Sequence, residues 1–216
     1  TTEAYDFGGD DINQPDYSYM KVDLTNAYSS SSVSDYDRSF MFLNMYDDDV
    51  PAALVVFDRL TTVKSSYKTA WLLHGLNAPT ISGTRATFTT GSNGYTGKMT
   101  NDTLLPASST ITSVQDGYLT SGGTLYSSGY SGTSGVNESE GYRIEVSPSS
   151  QTTSTAFLNV VQVGEASATM PTPSVIQNST FTGAVVKDRV VLFSTSGALL
   201  GAGDSNKNTT YYSFNF

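Results

Sequence analysis

The apolar residues of this chain fall into short runs separated by turn-forming residues. Ser39-Phe40-Met41-Phe42-Leu43-Asn44-Met45 and Ala52-Ala53-Leu54-Val55-Val56-Phe57-Asp58-Arg59-Leu60 place apolar side chains at consecutive positions. Such runs predict strands covered on both faces, as in a sandwich core. Lys68 to His74, Ala156 to Val163, Phe181 to Val186 and Arg189 to Ser194 read the same way, and the aromatic run Tyr211 to Phe216 reads as a closing strand. Arg85 to Thr90 alternates and predicts a half-exposed strand. Tyr142-Arg143-Ile144-Glu145-Val146 alternates cleanly, with Tyr, Ile and Val on one face. Nowhere do apolar residues hold helical spacing for more than two turns without Gly, Pro or β-branched interruption.

Turn chemistry fills the gaps: Asn77-Ala78-Pro79, Gly91-Ser92-Asn93-Gly94, Lys187-Asp188 and Ser196-Gly197. Regular short strands at this spacing predict an all-β fold, an antiparallel β-sandwich of two packed sheets. The chain 1–216 reads as one domain, with residues 1–14 as an extended N-terminal arm. Residues 120–139, almost wholly Gly, Ser, Thr and Tyr, read as a long surface loop. There is no 20–50-residue repeat, which argues against a solenoid or propeller.

Composition narrows the function classes. Eleven Lys+Arg against 20 Asp+Glu give a net charge of −9, so a phosphate backbone would be repelled and nucleic acid is excluded as a partner. No run approaches the ~20 apolar residues of a membrane-spanning helix. Charged residues are only 14% of the chain, against about 25% in ordinary globular proteins. The chain carries 31 Ser, 29 Thr and 14 Tyr. That composition suits an extracellular or cell-surface protein, and the start without Met or signal peptide reads as a processed or excised product. Without cysteine there is no disulfide framework, thiolate nucleophile or Cys-ligated metal.

One segment goes beyond composition. Val55 to Leu60, then Tyr67-Lys68-Thr69-Ala70-Trp71-Leu72-Leu73-His74, then Asn77 to Gly83, resembles the heparinase II/III-like family of polysaccharide lyases, in the β-sheet region that follows the catalytic helical barrel. Pro15 to Ser29, Arg38 to Leu43, Leu104-Leu105-Pro106, Tyr142 to Pro148 and Phe157 to Val163 resemble flanking pieces of that region in order, so the similarity spans most of residues 15–194. The resemblance implies a β-sandwich module. In a complete lyase it also implies a barrel carrying the Tyr and His of uronate elimination, and that barrel is absent from these residues.

The candidate site residues are few. His74 is the sole histidine; as the weak catalytic candidate it competes with a hydrogen-bonded structural role, which is favoured. Asp58-Arg59 can enter charge-assisted pairs at a strand end, and Trp71 supplies core volume. Asp6, Asp10 and Asp11, with Asp16 nearby, and separately Asp47-Asp48-Asp49, are oxygen-rich enough for Ca²⁺, though a solvated acidic turn is the favoured reading; no other cofactor is expected. Asn101, Asn137, Asn178 and Asn208 open N-glycosylation sequons and are expected at the surface. Loop tyrosines Tyr118, Tyr126 and Tyr130 are of a type that stacks on sugar rings.

Three functions fit. The favoured one is a secreted, non-catalytic subunit that assembles with copies of itself into a fibre or surface layer. The second is an accessory module of a heparinase II/III-like lyase acting on a uronate-containing polysaccharide, with the missing catalytic domain as partner. The third is a carbohydrate-binding module. A lyase module is expected to leave an apolar sheet face bare where its partner docks.

Overall fold

The doubly apolar run at Ala52–Leu60 organises the fold. The computed structural model describes residues 1–8, 13–92, 94–115, 118–119, 125–126, 141–195 and 210–214. In chain order its strands are β1 (Thr2–Gly8), β2 (Tyr17–Asp23), β3 (Val33–Asn44), β4 (Ala52–Thr62), β5 (Trp71–Gly75), β6 (Thr80–Ser82), β7 (Arg85–Ser92), β8 (Tyr95–Leu105), β9 (Ser109–Gln115), β10 (Tyr118–Leu119), β11 (Leu125–Tyr126), β12 (Tyr142–Pro148), β13 (Ser154–Glu165), β14 (Ser174–Gln177), β15 (Phe181–Val186), β16 (Arg189–Ser194) and β17 (Thr210–Phe214). A single 3₁₀ turn, Thr25–Ala27, is the only helical element among the described residues.

Eight strands form one main sheet in the order β1-β2-β3-β4-β13-β8-β7-β6. All its pairings are antiparallel. A three-stranded sheet, β5-β12-β9, and a four-stranded sheet, β14-β15-β16-β17, complete the layers. Successive residues of a strand point to opposite faces, and β4 and β13 use both. Val55, Phe57, Leu158 and Val160 pack with Ala184, Val186, Val191 and Phe193 of the four-stranded sheet. Val56, Phe157 and Val161 pack instead with Trp71, Ile144 and Val146 of the three-stranded sheet. The all-β sandwich expected from the pattern is present, but its second layer is divided. The main sheet carries one small sheet on each face, which is why β4 and β13 are apolar at consecutive positions. One pairing is parallel, β16 with β17.

On the first face Phe193 is fully buried and stacks on Phe57, with ring centroids 5.2 Å apart and planes 20° from parallel. Gly183 of β15 sits against β16 so closely that a Cβ there would lie 1.9 Å from the Val191 carbonyl oxygen.

The polar residues of the main sheet are paired across strands. Asp58 and Arg59 point to opposite faces and each reaches β3. Arg38 donates Nε and Nη2 to the two oxygens of Asp58 at 2.6 and 2.7 Å, and Arg59 donates to Asp37 at 2.7 Å. Asp37 also meets Lys21 at 3.1 Å, and Lys21 pairs with Glu3. This ladder ties β1 to β4. Residues 2–8 of the expected arm are therefore an edge strand, in register with β2. Asp102 is held by the Arg85 fork at 2.8 and 3.0 Å, and Arg85 also donates to the Pro171 carbonyl at 2.7 Å. Burial pushes the Asp102 carboxyl up from its ordinary value, and Arg85 opposes that.

Candidate functional site

The three-stranded sheet is too narrow to cover the main sheet. It packs over β4, β13, β8 and β7 and leaves the same face of β1, β2 and the Phe42 end of β3 uncovered. The sequence places large apolar residues there by alternation. On β1, Ala4 packs into the core beside Tyr17, so Tyr5 and Phe7 point the other way. Tyr5 is opposite Met20, which is opposite Phe40; Phe7 is opposite Ser18, which is opposite Phe42. Phe40 and Leu54 mark where cover begins, since both pack against the second core. Beyond them Tyr5, Phe7, Met20 and Phe42 are 71%, 55%, 40% and 45% exposed. The Tyr5 and Phe7 rings are 6.2 Å apart. Single exposed apolar residues are ordinary, but a contiguous set on one sheet face marks an interface.

A second feature lies along the same face, at the far end of β3 and β4. Here the 3₁₀ turn and the segment before β5 enclose a groove of about 350 Å³. Tyr28, Tyr36, Tyr67 and Trp71 supply aromatic surface, and Asp58 and Thr69 supply oxygens. The Tyr28 and Tyr36 rings are 5.6 Å apart and tilted by 52°. The Arg38 guanidinium lies 5.8 Å from the Tyr36 ring and 5.7 Å from Phe40, so it joins groove and open face. Burial, with the Asp58 carboxylate close by, pushes the Tyr36 phenol well above its ordinary range. Asp58 is 1% exposed; burial pushes its carboxyl up from its ordinary value, and the Arg38 fork, which occupies both its oxygens, opposes that.

The outer face of the three-stranded sheet carries His74, which is exposed and lies opposite Arg143 in register. Partial burial, then the Arg143 charge, holds its imidazole below the usual range and so largely neutral. Arg143 donates twice to Glu145 Oε1, at 2.6 and 3.0 Å, and Lys68 meets Glu145 Oε2 at 3.0 Å. Burial raises the Glu145 carboxyl, but the bonds from Arg143 and Lys68 outweigh it and hold it below its ordinary value. His74 lines neither the groove nor the open face.

The other sequence-derived candidates are dispersed. Asp6 accepts a hydrogen bond from the Tyr17 hydroxyl at 2.6 Å; Asp10 and Asp11 lie outside the described residues. Among the described residues no group of three or more His, Asp or Glu is placed to hold a metal. Asp47 caps its turn, accepting from the Asp49 and Val50 amides at 3.2 and 3.0 Å, and pairs with Lys187. Lys187 hydrogen-bonding, foremost, lowers the Asp47 carboxyl.

The sequon expectation needs one correction. Asn101 is fully buried in β8, donating to Thr103 Oγ1 and to Asn159 Oδ1, both at 3.3 Å; it is a core residue between strands and not a surface acceptor. Asn178 is exposed, and its Oδ1 accepts from the Thr180 amide, the Thr180 hydroxyl and the Phe181 amide. Asn137, Asn208 and Tyr130 lie outside the described residues. Within the expected loop at 120–139, Leu125–Tyr126 is a strand pairing with Tyr118–Leu119.

No family model and no curated protein matches this sequence. Among solved structures the chain is similar to a mutant of heparan sulfate lyase HepC from Pedobacter heparinus, with a TM-score of 0.55 and 12% identity. The match covers 90% of this chain and 27% of the lyase chain. The shared feature is the fold, and this chain spans about a quarter of the lyase's length.

Proposed function

We propose that this chain is a non-catalytic β-sandwich module that buttresses a larger polysaccharide-acting domain, docking through the open face of β1, β2 and β3. The observation that carries this reading is the contiguous exposure of Tyr5, Phe7, Met20 and Phe42 beside the half of the same sheet that packs under the three-stranded sheet. The fold's likeness to part of a much longer heparan sulfate lyase supports it. So does the position of His74, exposed on the outer face of the three-stranded sheet, since proton abstraction from a uronate calls for a water-excluded site. In this reading the catalytic residues belong to the partner domain, and the substrate class is a uronate-containing polysaccharide. The Ser/Thr/Tyr-rich, weakly charged composition supports an extracellular or cell-surface setting.

A second copy of the chain is the competing occupant of that face, since β1 is also a sheet edge and edges invite strand addition. A photo-crosslinking residue at Phe42, placed in the protein expressed from its complete gene, separates the two. Crosslinks to sequence outside these 216 residues are expected. Crosslinks between copies, or fibres seen by electron microscopy that vanish in Tyr5→Ser/Phe7→Ser, overturn the module reading. The complete protein is expected to eliminate across uronate residues, read by the ultraviolet absorbance of the unsaturated product.

A further inference from the structure

The aromatic groove between β3, β4 and the segment before β5 takes no part in docking as proposed above, and its chemistry points to a ligand of its own. We infer that it is a binding site for an uncharged hexopyranose unit of a glycan.

Three features of the groove lead there. Its walls are aromatic: Tyr28 is 52% exposed at the mouth, Tyr67 is half-buried, and Tyr36 and Trp71 form the floor. A pyranose presents an apolar C–H face of the size of one such ring, so stacking suits both. The floor also carries a donor without an acceptor. Trp71 is 5% exposed, and its indole N–H is buried with no hydrogen-bond partner among the described residues. Buried donors are rarely left so, and a ligand hydroxyl oxygen is the natural acceptor. At the floor Asp58 is matched by Arg38 at 2.6 Å. The cations at the rim are exposed side chains: Lys68, which shares Glu145 with Arg143, and Lys64, whose Nζ lies 5.9 Å from the Tyr67 ring. On a chain of net charge −9, a floor whose one cation is already paired selects a neutral ring over a carboxylated or sulfated one.

Thr69 completes the polar side. Its amide and hydroxyl both donate to Gln151 Oε1, at 3.1 and 3.3 Å, so its oxygen is held in place with lone pairs to accept a sugar hydroxyl. The Tyr67 hydroxyl reaches the Ser31 carbonyl at 3.4 Å, bringing the loop after the 3₁₀ turn up to that wall.

Trp71 is the chain's single tryptophan, so intrinsic tryptophan emission reports on this groove alone. The protein is titrated with cellohexaose, mannohexaose, xylohexaose and, as the acidic counterpart, oligogalacturonate. A saturable emission change with a neutral oligosaccharide, insensitive to added salt, is expected. Tyr28→Ala and Tyr67→Ala should each weaken it roughly tenfold, the effect of losing one stacked ring, with circular dichroism unchanged. A flat titration with every neutral oligosaccharide overturns the assignment. So does a change seen with oligogalacturonate alone and screened by salt, or binding that survives both substitutions. The result is independent of crosslinking at Phe42, so the docking reading and the sugar site can fail separately.

Discussion

Phe193 is the residue on which the attachment of the four-stranded sheet most depends. It is fully buried, and its ring lies against Phe57 of the main sheet at 5.2 Å. Truncation to alanine removes the ring from water-free surroundings that include Val55, Leu158 and Val191. Core Phe→Ala changes cost about 3–5 kcal/mol, the lost transfer energy plus the cavity left behind, and the aromatic pair adds about 0.5–1.5 kcal/mol within that range. The neighbours come from two different sheets, each stiffened by its own hydrogen bonds, so the cavity will collapse poorly and the upper half of the range is expected. In a domain of this size each kcal/mol moves Tm by about 2–4 °C, so Phe193→Ala should lower Tm by roughly 8–20 °C. Phe193→Leu keeps most of the volume and should lose less than half as much. Urea unfolding is followed by far-ultraviolet circular dichroism and by Trp71 emission, which reports from the opposite face. Coincident shifts of both probes are expected, because β4 and β13 belong to both cores. A Phe193→Ala loss below about 1 kcal/mol would refute the packing; a shift in circular dichroism without one in Trp71 emission would show the two faces unfolding separately.

Two further outcomes follow from local geometry. Gly183→Ala places a methyl 1.9 Å from the Val191 carbonyl oxygen, so β15 must move off β16. A loss of about 3 kcal/mol or more is expected by urea midpoint, against near-neutrality if the strands have slack. Glu145 has a folded pKa below its ordinary value, so its stabilisation is full above the unfolded range near pH 4.5 and is lost as pH falls through the folded value. Glu145→Gln should therefore cost about 1–2 kcal/mol at neutral pH, strand the buried Arg143, and show a gap to the parent that narrows as pH falls below the ordinary carboxylate range; a pH-independent gap would contradict this.

The strands that were legible in sequence are those with apolar runs. Ala52–Leu60 appears as β4, and the reason for its double apolarity, a layer on each face, is visible in the pattern once both faces are taken literally. Arg85–Thr90 and Tyr142–Val146 alternate as expected, with Ala86, Phe88, Ile144 and Val146 inward. The outward face of β12 departs from the simple alternation, because Arg143 is itself only 4% exposed against Glu145. β8 was illegible. Thr100, Asn101, Asp102 and Thr103 are buried in succession, and their burial depends on partners from β7, β13 and the segment at 170–171 that no local window contains. β1 was missed for a related reason. Its Glu3, Tyr5, Asp6 and Phe7 look like an exposed arm, and only the ladder through Lys21 and the register with β2 make it a strand. The open face and the groove were hidden likewise: Tyr5, Met20 and Phe42 become one surface only through strand pairing, and Tyr28 meets Trp71 only through the fold.

The order β4-β13-β8 within the main sheet has a consequence for how the chain is made. β13 is the strand that joins the β1–β4 meander to the β6–β8 meander, and it begins at Ser154. Until it leaves the ribosome the sheet exists as two halves, each ending in an unpatched flank, and the β4 flank is the most apolar segment of the chain. Closing them requires contacts across about a hundred residues, the kind of long-range pairing that folds slowly and leaves time for misassociation. Chains stopped short of Ser154 would be left with those flanks permanently open, and nascent chains must keep them from one another until the keystone strand arrives.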